Sequence, residues 1–313
     1  MAKIVLGTNK SVSAPAIVRD KSPKYYVEKT LDSNGKLVPS STMINLNGVT
    51  DLGKYVLYGE YAYVSFPTNT SIDMSSLTSI SGERACYYMF YYATGITSID
   101  LSALTTISGT YPCSHMFSNS SLTNADLSSL TTINGDNAAT GLFYTCTSLT
   151  SVDLSSLTTI SGNDAVSEMF KTCLLLQTVS FPSLTTVSSN SSLRGMFEGC
   201  IVLTSVSFNK LNVIGAQLSP SYQKMFNNCY KLESVTFGGL TASTFSSAVN
   251  QLQYLFSTTT GRDAPNGCTL HFPSNFDPSD PNHTFDASTL TGYPTFGGSA
   301  NYIHLAFDLP ATE

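Results

Sequence analysis

Tryptophan is absent from this chain and charge is sparse: Asp, Glu, Lys and Arg make up 12% of its 313 residues, about half the usual share for a soluble protein. No run of Lys or Arg occurs and the net charge is −6, so nothing clusters the cations that phosphate backbones require, and nucleic acid is excluded as a partner. No stretch approaches 18 apolar residues, which excludes insertion into a membrane as a spanning helix. The opening Met1-Ala-Lys-Ile-Val-Leu-Gly7 has three consecutive apolar residues before its glycine, too few for the apolar region of a signal peptide. No lipoprotein cysteine lies near the start, and the expectation is a protein made in a cytosol and not exported by the general secretory route. The four histidines, His115, His271, His283 and His304, lie far apart. Cys-x-x-Cys, Gly-x-Ser-x-Gly, a phosphate loop and paired-His metal motifs are all missing. The expectation is therefore no catalytic residue, no metal, no cofactor and no enzyme.

What fills the space is hydroxyl and repetition. The chain has 46 Ser and 38 Thr, so its surface is polar with little charge. A phrase recurs through the middle, clearest as Leu149-Thr-Ser-Val152-Asp-Leu154-Ser-Ser-Leu157-Thr-Thr-Ile160-Ser-Gly162, followed by Met169-Phe170-Lys-Thr-Cys173. Its Phe returns at Phe90, Phe117, Phe143, Phe170, Phe197, Phe226 and Phe256, in steps of 27, 26, 27, 27, 29 and 30 residues. Units this short cannot bury an apolar face alone, so they stack into a solenoid.

Within one unit, Val152 and Leu154 are two apart and share one face of a short strand, with Asp153 on the other. Equivalent strands start at Ile72, Ile99, Ala125, Val179, Val206 and Val235, and Leu270-His-Phe272 ends the series. A second pin, Ile80, Ile107, Ile133, Ile160, Val187 and Ile214, predicts a second extended arm. Gly82, Gly109, Gly135 and Gly162 then turn the chain. Asp164 to Cys173 reads as a helix of about two turns, with Met169, Phe170 and Cys173 on one face. The fold class is thus an α/β leucine-rich-repeat solenoid of short parallel strands and short helices, with about seven to eight coils and a small N-terminal β adaptor. Cys146, Cys173, Cys200 and Cys229 each follow the repeat Phe by three residues, and Cys86 and Cys113 precede it by four. A column of buried thiols filling a small apolar slot explains this better than a metal or disulfide ladder, since Ala93 and Ser120 stand at equivalent places.

Residues 1–45 form a β-rich adaptor or cap, with a hairpin around Asn34-Gly35 inside Lys24–Val38. Residues 46–272 form the solenoid. Residues 273–313 cover its last coil and include a turn-rich loop from Asp277 to His283 and a final strand, Ile303–Phe307.

Met-Phe-x-x-Cys-x-x-Leu-x-x-Val-Asp-Leu-Ser-x-Leu-Thr-x-Ile resembles the BspA-type leucine-rich repeats over about residues 60–272. These are cell-surface and adhesion-associated repeats of gut bacteria and their viruses, with no shared catalytic residues. Their surface members are usually exported, whereas this chain opens without a signal. Its start, together with Met43–Gly53, resembles the N-termini of repeat proteins encoded among tail and structural genes of gut bacteriophages. The resemblances imply a non-enzymatic binding or structural protein of a virion, such as a tail fibre, made in the host cytoplasm. Residues 1–45 would dock to other virion proteins and the solenoid would contact a host-surface glycan or protein. A BspA-like adhesin on the bacterial cell surface is the alternative, and a homo-oligomer is compatible with either.

Two groups of side chains are candidate contacts. Asp73, Asp100, Asp126 and Asp153 stand at one position in consecutive coils, as a solvated acid row, a cation site, or a patch for a sugar or basic ligand. Tyr87, Tyr88, Tyr91, Tyr92 and Tyr111 form a tyrosine cluster, either as recognition surface or as packing beneath the first coils. The positions that vary from coil to coil lie between the Gly turn and the helix, at Glu83-Arg84, Thr110–Pro112, Asn137–Ala139, Ser189–Ser192 and Gln217–Tyr222, and such an edge marks a contact surface.

Overall fold

A computed structural model of the chain describes residues 59, 62–63, 65–188, 191–214, 224–241, 268–276 and 303–311, and the backbones of short strands between residues 2 and 52. Each rung contributes a lead strand and a return strand. Lead strands Ser65–Asp73, Thr94–Asp100, Asn124–Asp126 and Ser151–Asp153 belong to one parallel sheet; Thr178–Ser180, Ser205–Phe208, Ser234–Phe237, Cys268–Pro273 and Ile303–Leu309 form another. Return strands Ser79–Ile80, Thr106–Ser108, Thr132–Asn134, Thr159–Ser161, Thr186–Val187 and Val213–Ile214 run through a single parallel sheet. The registers are those the repeat demands. Ile99, Ala125 and Val152 are partners in the first sheet, as are Val179, Val206, Val235 and Leu270 in the next. Ile80, Ile107, Ile133, Ile160, Val187 and Ile214 form the return column.

The abundant threonines link the rungs. The hydroxyls of Thr105, Thr131, Thr158 and Thr185 each donate to the carbonyl of the equivalent threonine one rung back, at 2.9, 3.0, 2.9 and 3.2 Å. The backbone N–H of each of these threonines donates to the same carbonyl. A second column does likewise, from Thr123 to Thr97, Thr150 to Thr123 and Thr204 to Gln177. A carbonyl with two lone pairs accepts both donors, so each such threonine adds a hydrogen bond between neighbouring rungs.

The stretch before each Phe is not the expected helix. It is a chain of tight turns with a left-handed residue at every fourth position, as at Arg84, Tyr88 and Tyr92, then Tyr111, His115 and Asn119, then Asn137, Gly141 and Thr145. Alternate N–H groups serve different ends. Met89 and Tyr91 donate three residues back, whereas Cys86, Tyr88 and Phe90 donate to Pro112, Ser114 and Met116 of the next rung, at 2.7, 3.1 and 2.8 Å. Rungs stack at about 4.8 Å, the strand spacing, while a helix with its side chains is about 10 Å across. One helix per rung would not fit that spacing.

Inside, the rings of Phe90, Phe117, Phe143, Phe170, Phe197 and Phe226 are buried and stack at 5.5 to 5.8 Å, with planes within 12°. A second stack of Phe181, Phe208, Phe237 and Phe272 enters where lead strands carry Phe instead of Leu. All seven cysteines are free and buried. Cys146, Cys173, Cys200 and Cys229 donate their S–H to the carbonyls of Phe117, Phe143, Phe170 and Phe197 at 3.0 to 3.2 Å. Burial pushes the Cys146 and Cys200 thiols up to about 12, so thiolate chemistry is suppressed. The buried-thiol reading therefore has a definite hydrogen-bonding role.

At the N-terminal end, Ala2–Lys3 pairs in parallel with Met43–Asn45, which pairs with Ser65–Asp73; Ala16–Val18 pairs with Val49–Leu52, which pairs with Ser79–Ile80. Strands of residues 1–45 thus prolong both sheets. The expected hairpin is present as antiparallel Lys29–Leu31 and Leu37–Pro39, with its Asn34-Gly35 turn outside the described residues. Ile303–Leu309 adds a parallel strand beside Cys268–Pro273. Phe256, the Gln217–Tyr222 stretch and the Asp277–His283 loop lie outside the described residues.

Candidate binding surfaces

Two positions of the turn segments form columns beside the buried Phe. Two residues before the Phe stand Tyr88, His115, Gly141, Glu168 and Gly195; one residue after it stand Tyr91, Ser118, Tyr144, Lys171 and Glu198. The first rungs carry aromatics there and the later ones carry charge. All five sequence-predicted tyrosines come together: Tyr87 meets Tyr88 at 4.2 Å and Tyr111 at 5.9 Å, while Tyr91 meets Tyr88 and Tyr92 at 4.7 Å. Three members were not read from sequence. Tyr63 stacks on Tyr92 at 5.5 Å, His115 stacks on Tyr88 at 5.3 Å, and Tyr144 meets His115 edge-on at 5.9 Å. Aligning the columns two before and one after each Phe would have found His115 and Tyr144. Tyr63 is 67% exposed and Tyr92 45%. The left-handed backbone at Tyr88, Tyr92 and Tyr111 recurs in later rungs with other residues, so it belongs to the turn architecture and is no mark of function.

His115 is fixed by its neighbours. Ser118 Oγ donates to the Gly141 carbonyl at 2.7 Å, so it accepts from His115 Nδ1 at 3.0 Å. That places a proton on Nδ1. The ring lies over Gly141, where a Cβ would run into it. Burial lowers the His115 pKa, with Glu168 opposing. Burial, followed by the neighbouring Tyr92, Tyr63 and Tyr144, raises that of Tyr91. Beyond Tyr144, Lys171 lies 5.8 Å over its ring and pairs with Glu168 at 3.2 Å and Glu198 at 3.0 Å. Burial pulls the Lys171 ammonium down, but hydrogen bonding to Glu198 and the charge of both glutamates outweigh it and hold its pKa above 10.5.

The acid row lies on the outer face of the lead sheet, with Asp100, Asp126 and Asp153 in register. Asp73 is their backbone partner, and its side chain lies outside the described residues. Asp100 Oδ1 accepts from Ser102 N and Oγ at 3.0 and 2.6 Å; Asp126 and Asp153 accept from Ser128 N and Ser155 N, both at 2.9 Å. Each carboxylate thus closes a turn two residues on, which gives the recurrence of Asp a structural cause. Hydrogen bonding by the Ser128 hydroxyl and N–H holds the Asp126 carboxyl below its ordinary value. Among the described residues no group of three or more His, Cys, Asp or Glu is placed to hold a metal.

The profile of the BspA type leucine rich repeat region matches this chain in six copies, over residues 58–192 and 166–260. The chain belongs to the BspA-type leucine-rich-repeat family. No curated protein is significantly similar to it. Among solved structures, a leucine-rich repeat protein of T. pallidum is 16% identical with a TM-score of 0.30, covering 76% of this chain and 98% of that one. A leucine-rich cell surface protein from Faecalibacterium prausnitzii is 15% identical with a TM-score of 0.19, covering 71% and 90%. A leucine-rich repeat protein from Eubacterium ventriosum is 15% identical with a TM-score of 0.16, covering 67% and 82%.

Proposed function

We propose that this BspA-type chain acts by binding rather than catalysis, as an adhesin-type protein at a bacterial cell surface. Its turn face makes the contact with a surface-displayed glycan or protein. The observation that carries the reading is the aromatic patch from Tyr63 to Tyr144. The core is complete without these rings, because buried Phe, Met and Cys fill every described rung. Tyrosines held by ring contacts offer large area at little entropic cost. Family membership supports the surface setting. The rival setting, a virion fibre docked through residues 1–45, has no observation among the described residues or the similar proteins in its favour.

The test is saturable binding of the purified full chain to epithelial monolayers and to immobilised matrix glycoproteins. The Tyr63→Ala/Tyr92→Ala double variant should bind at least tenfold more weakly with an unchanged Tm. Equal binding by the variant, or no saturable binding by either, overturns the proposal.

A further inference from the structure

The lead sheet is broken at one place. Ser151–Asp153 ends one sheet and Thr178–Ser180 begins the next, with no backbone ladder between them, while the return strands Thr159–Ser161 and Thr186–Val187 pair normally across the same two rungs. The Phe143–Phe170–Phe197 stack is likewise unbroken. The opening is therefore confined to the lead side. In the threonine column beside the lead strands, Thr123 donates N–H and hydroxyl to Thr97, Thr150 to Thr123, and Thr204 to Gln177. At the broken step Gln177 stands in this column and makes no bond to Thr150, whereas Glu233, also without a threonine hydroxyl, still donates its N–H to Thr204 at 2.8 Å in a fully paired step.

The seam has a floor and walls. Val152 is only half-buried, whereas Ile99 and Ala125 in its own sheet and Val179 and Val206 in the next are buried. Above it lies an open depression of about 450 Å³, lined among others by Asp126, Val152, Asp153, Ser155, Ser180 and Pro182. That volume falls within the ~300–1,000 Å³ of small-ligand sites. Asp153 Oδ1 is held by Ser155 N, and Oδ2 has no protein partner. Ser180 Oγ contacts Ser207 Oγ at 2.8 Å. The strands on either side of the seam lack ladder partners there, so backbone donors and acceptors face the gap and are available to water or to a ligand that replaces it.

We infer that this seam is a binding site for a neutral saccharide unit. The sugar hydroxyls donate to the Asp153 and Asp126 carboxylates and accept from Ser151, Thr178 and Ser180 hydroxyls and from the freed backbone N–H groups. The C–H face of the ring rests on Val152 and Pro182. An anionic ligand is disfavoured by the two carboxylates. A divalent cation alone is a poorer match, because calcium wants about six to eight oxygens and each carboxylate already commits one to a turn. No aromatic side chain lines the depression, so stacked bases or rings are not what it recognises. This site is independent of the turn face.

The experiment uses the full chain and a panel of neutral oligomers of glucose, galactose, mannose and N-acetylglucosamine, read by saturation-transfer NMR and by amide hydrogen exchange. At least one oligomer should bind, with slowed exchange at residues 177–180. Asp153→Asn, which keeps an oxygen for the Ser155 turn, should weaken binding at least tenfold. Gln177→Thr, which adds a hydroxyl able to donate to the Thr150 carbonyl as Thr204 donates to Gln177, should slow exchange at residues 177–180 without ligand and weaken binding. Tyr63→Ala/Tyr92→Ala should leave this binding unchanged, which separates it from the turn-face proposal. The inference is overturned if no oligomer binds, if binding survives unchanged in both seam variants, or if EDTA removes binding and calcium alone then protects residues 177–180.

Discussion

His115 shows how one residue ties the exposed surface to the spine. It sits in a backbone conformation costly for most side chains, with its ring over a glycine and its Nδ1–H directed to Ser118. The folded state favours the neutral ring, because burial lowers its pKa from 6.5. Below pH ~6.5 the unfolded chain therefore binds a proton that the folded chain resists. The stability contributed by His115 is complete above that pH and is lost as pH falls through the lower folded value. Asparagine tolerates the left-handed region and retains a donor. Between pH 7.5 and 5 the Tm of the wild type should fall more steeply than that of His115→Asn, by thermal denaturation monitored with circular dichroism. Parallel slopes would remove His115 as the titrating group.

Among the elements, the lead and return strands were readable because their two-residue alternation and their recurrence agree. Ile80 through Ile214 occupies the predicted second arm rung after rung. The Phe and Cys columns were readable for the same reason. The turn segments were not, since left-handed Tyr88, Glu168 and Thr172 follow no preference of their own. They follow from hydrogen bonds to the next rung, which a single unit does not display. The tyrosine patch was readable as a cluster in sequence, but its extension to Tyr63, His115 and Tyr144 depends on stacking across rungs. Gly135 tests the close approach that this stacking imposes. It has φ +130°, and a Cβ there would strike the backbone of Gly109, just as one on Gly162 would strike Gly135. Backbone cannot swing aside as a side chain does. Gly135→Ala should cost about 2–3 kcal/mol in urea denaturation. Gly195, at φ +57°, has only the side chains of Glu168 and Glu198 nearby, and Gly195→Asn should stay within about 0.5 kcal/mol of wild type. Equal effects at the two glycines would show that conformation, and not contact between rungs, sets the cost.

For the molecule as a whole, each described rung bonds mainly to the rung before and the rung after, so stability should behave as a sum of neighbouring interfaces. Excising residues 171–197 removes one period and joins Phe170 to Glu198-Gly-Cys200, which regenerates the spacing of Phe to Cys. The new neighbours are compatible: Val152 faces Val206, Ile160 faces Ile214, and Phe170 stacks on Phe226. Thr204, whose N–H and hydroxyl both donate one rung back, then stands over Thr150, so the lead sheet should run unbroken through the junction. Excising residues 171–184 instead removes about half a period and puts a lead strand's partner out of register. The full-period deletion should retain the wild-type circular dichroism spectrum, melt cooperatively a few degrees lower, and show slow amide exchange at residues 204–207. The half-period deletion should lose the spectrum or aggregate. If both deletions collapse alike, the rungs are not interchangeable units, and the surfaces built on their stacking lose their foundation.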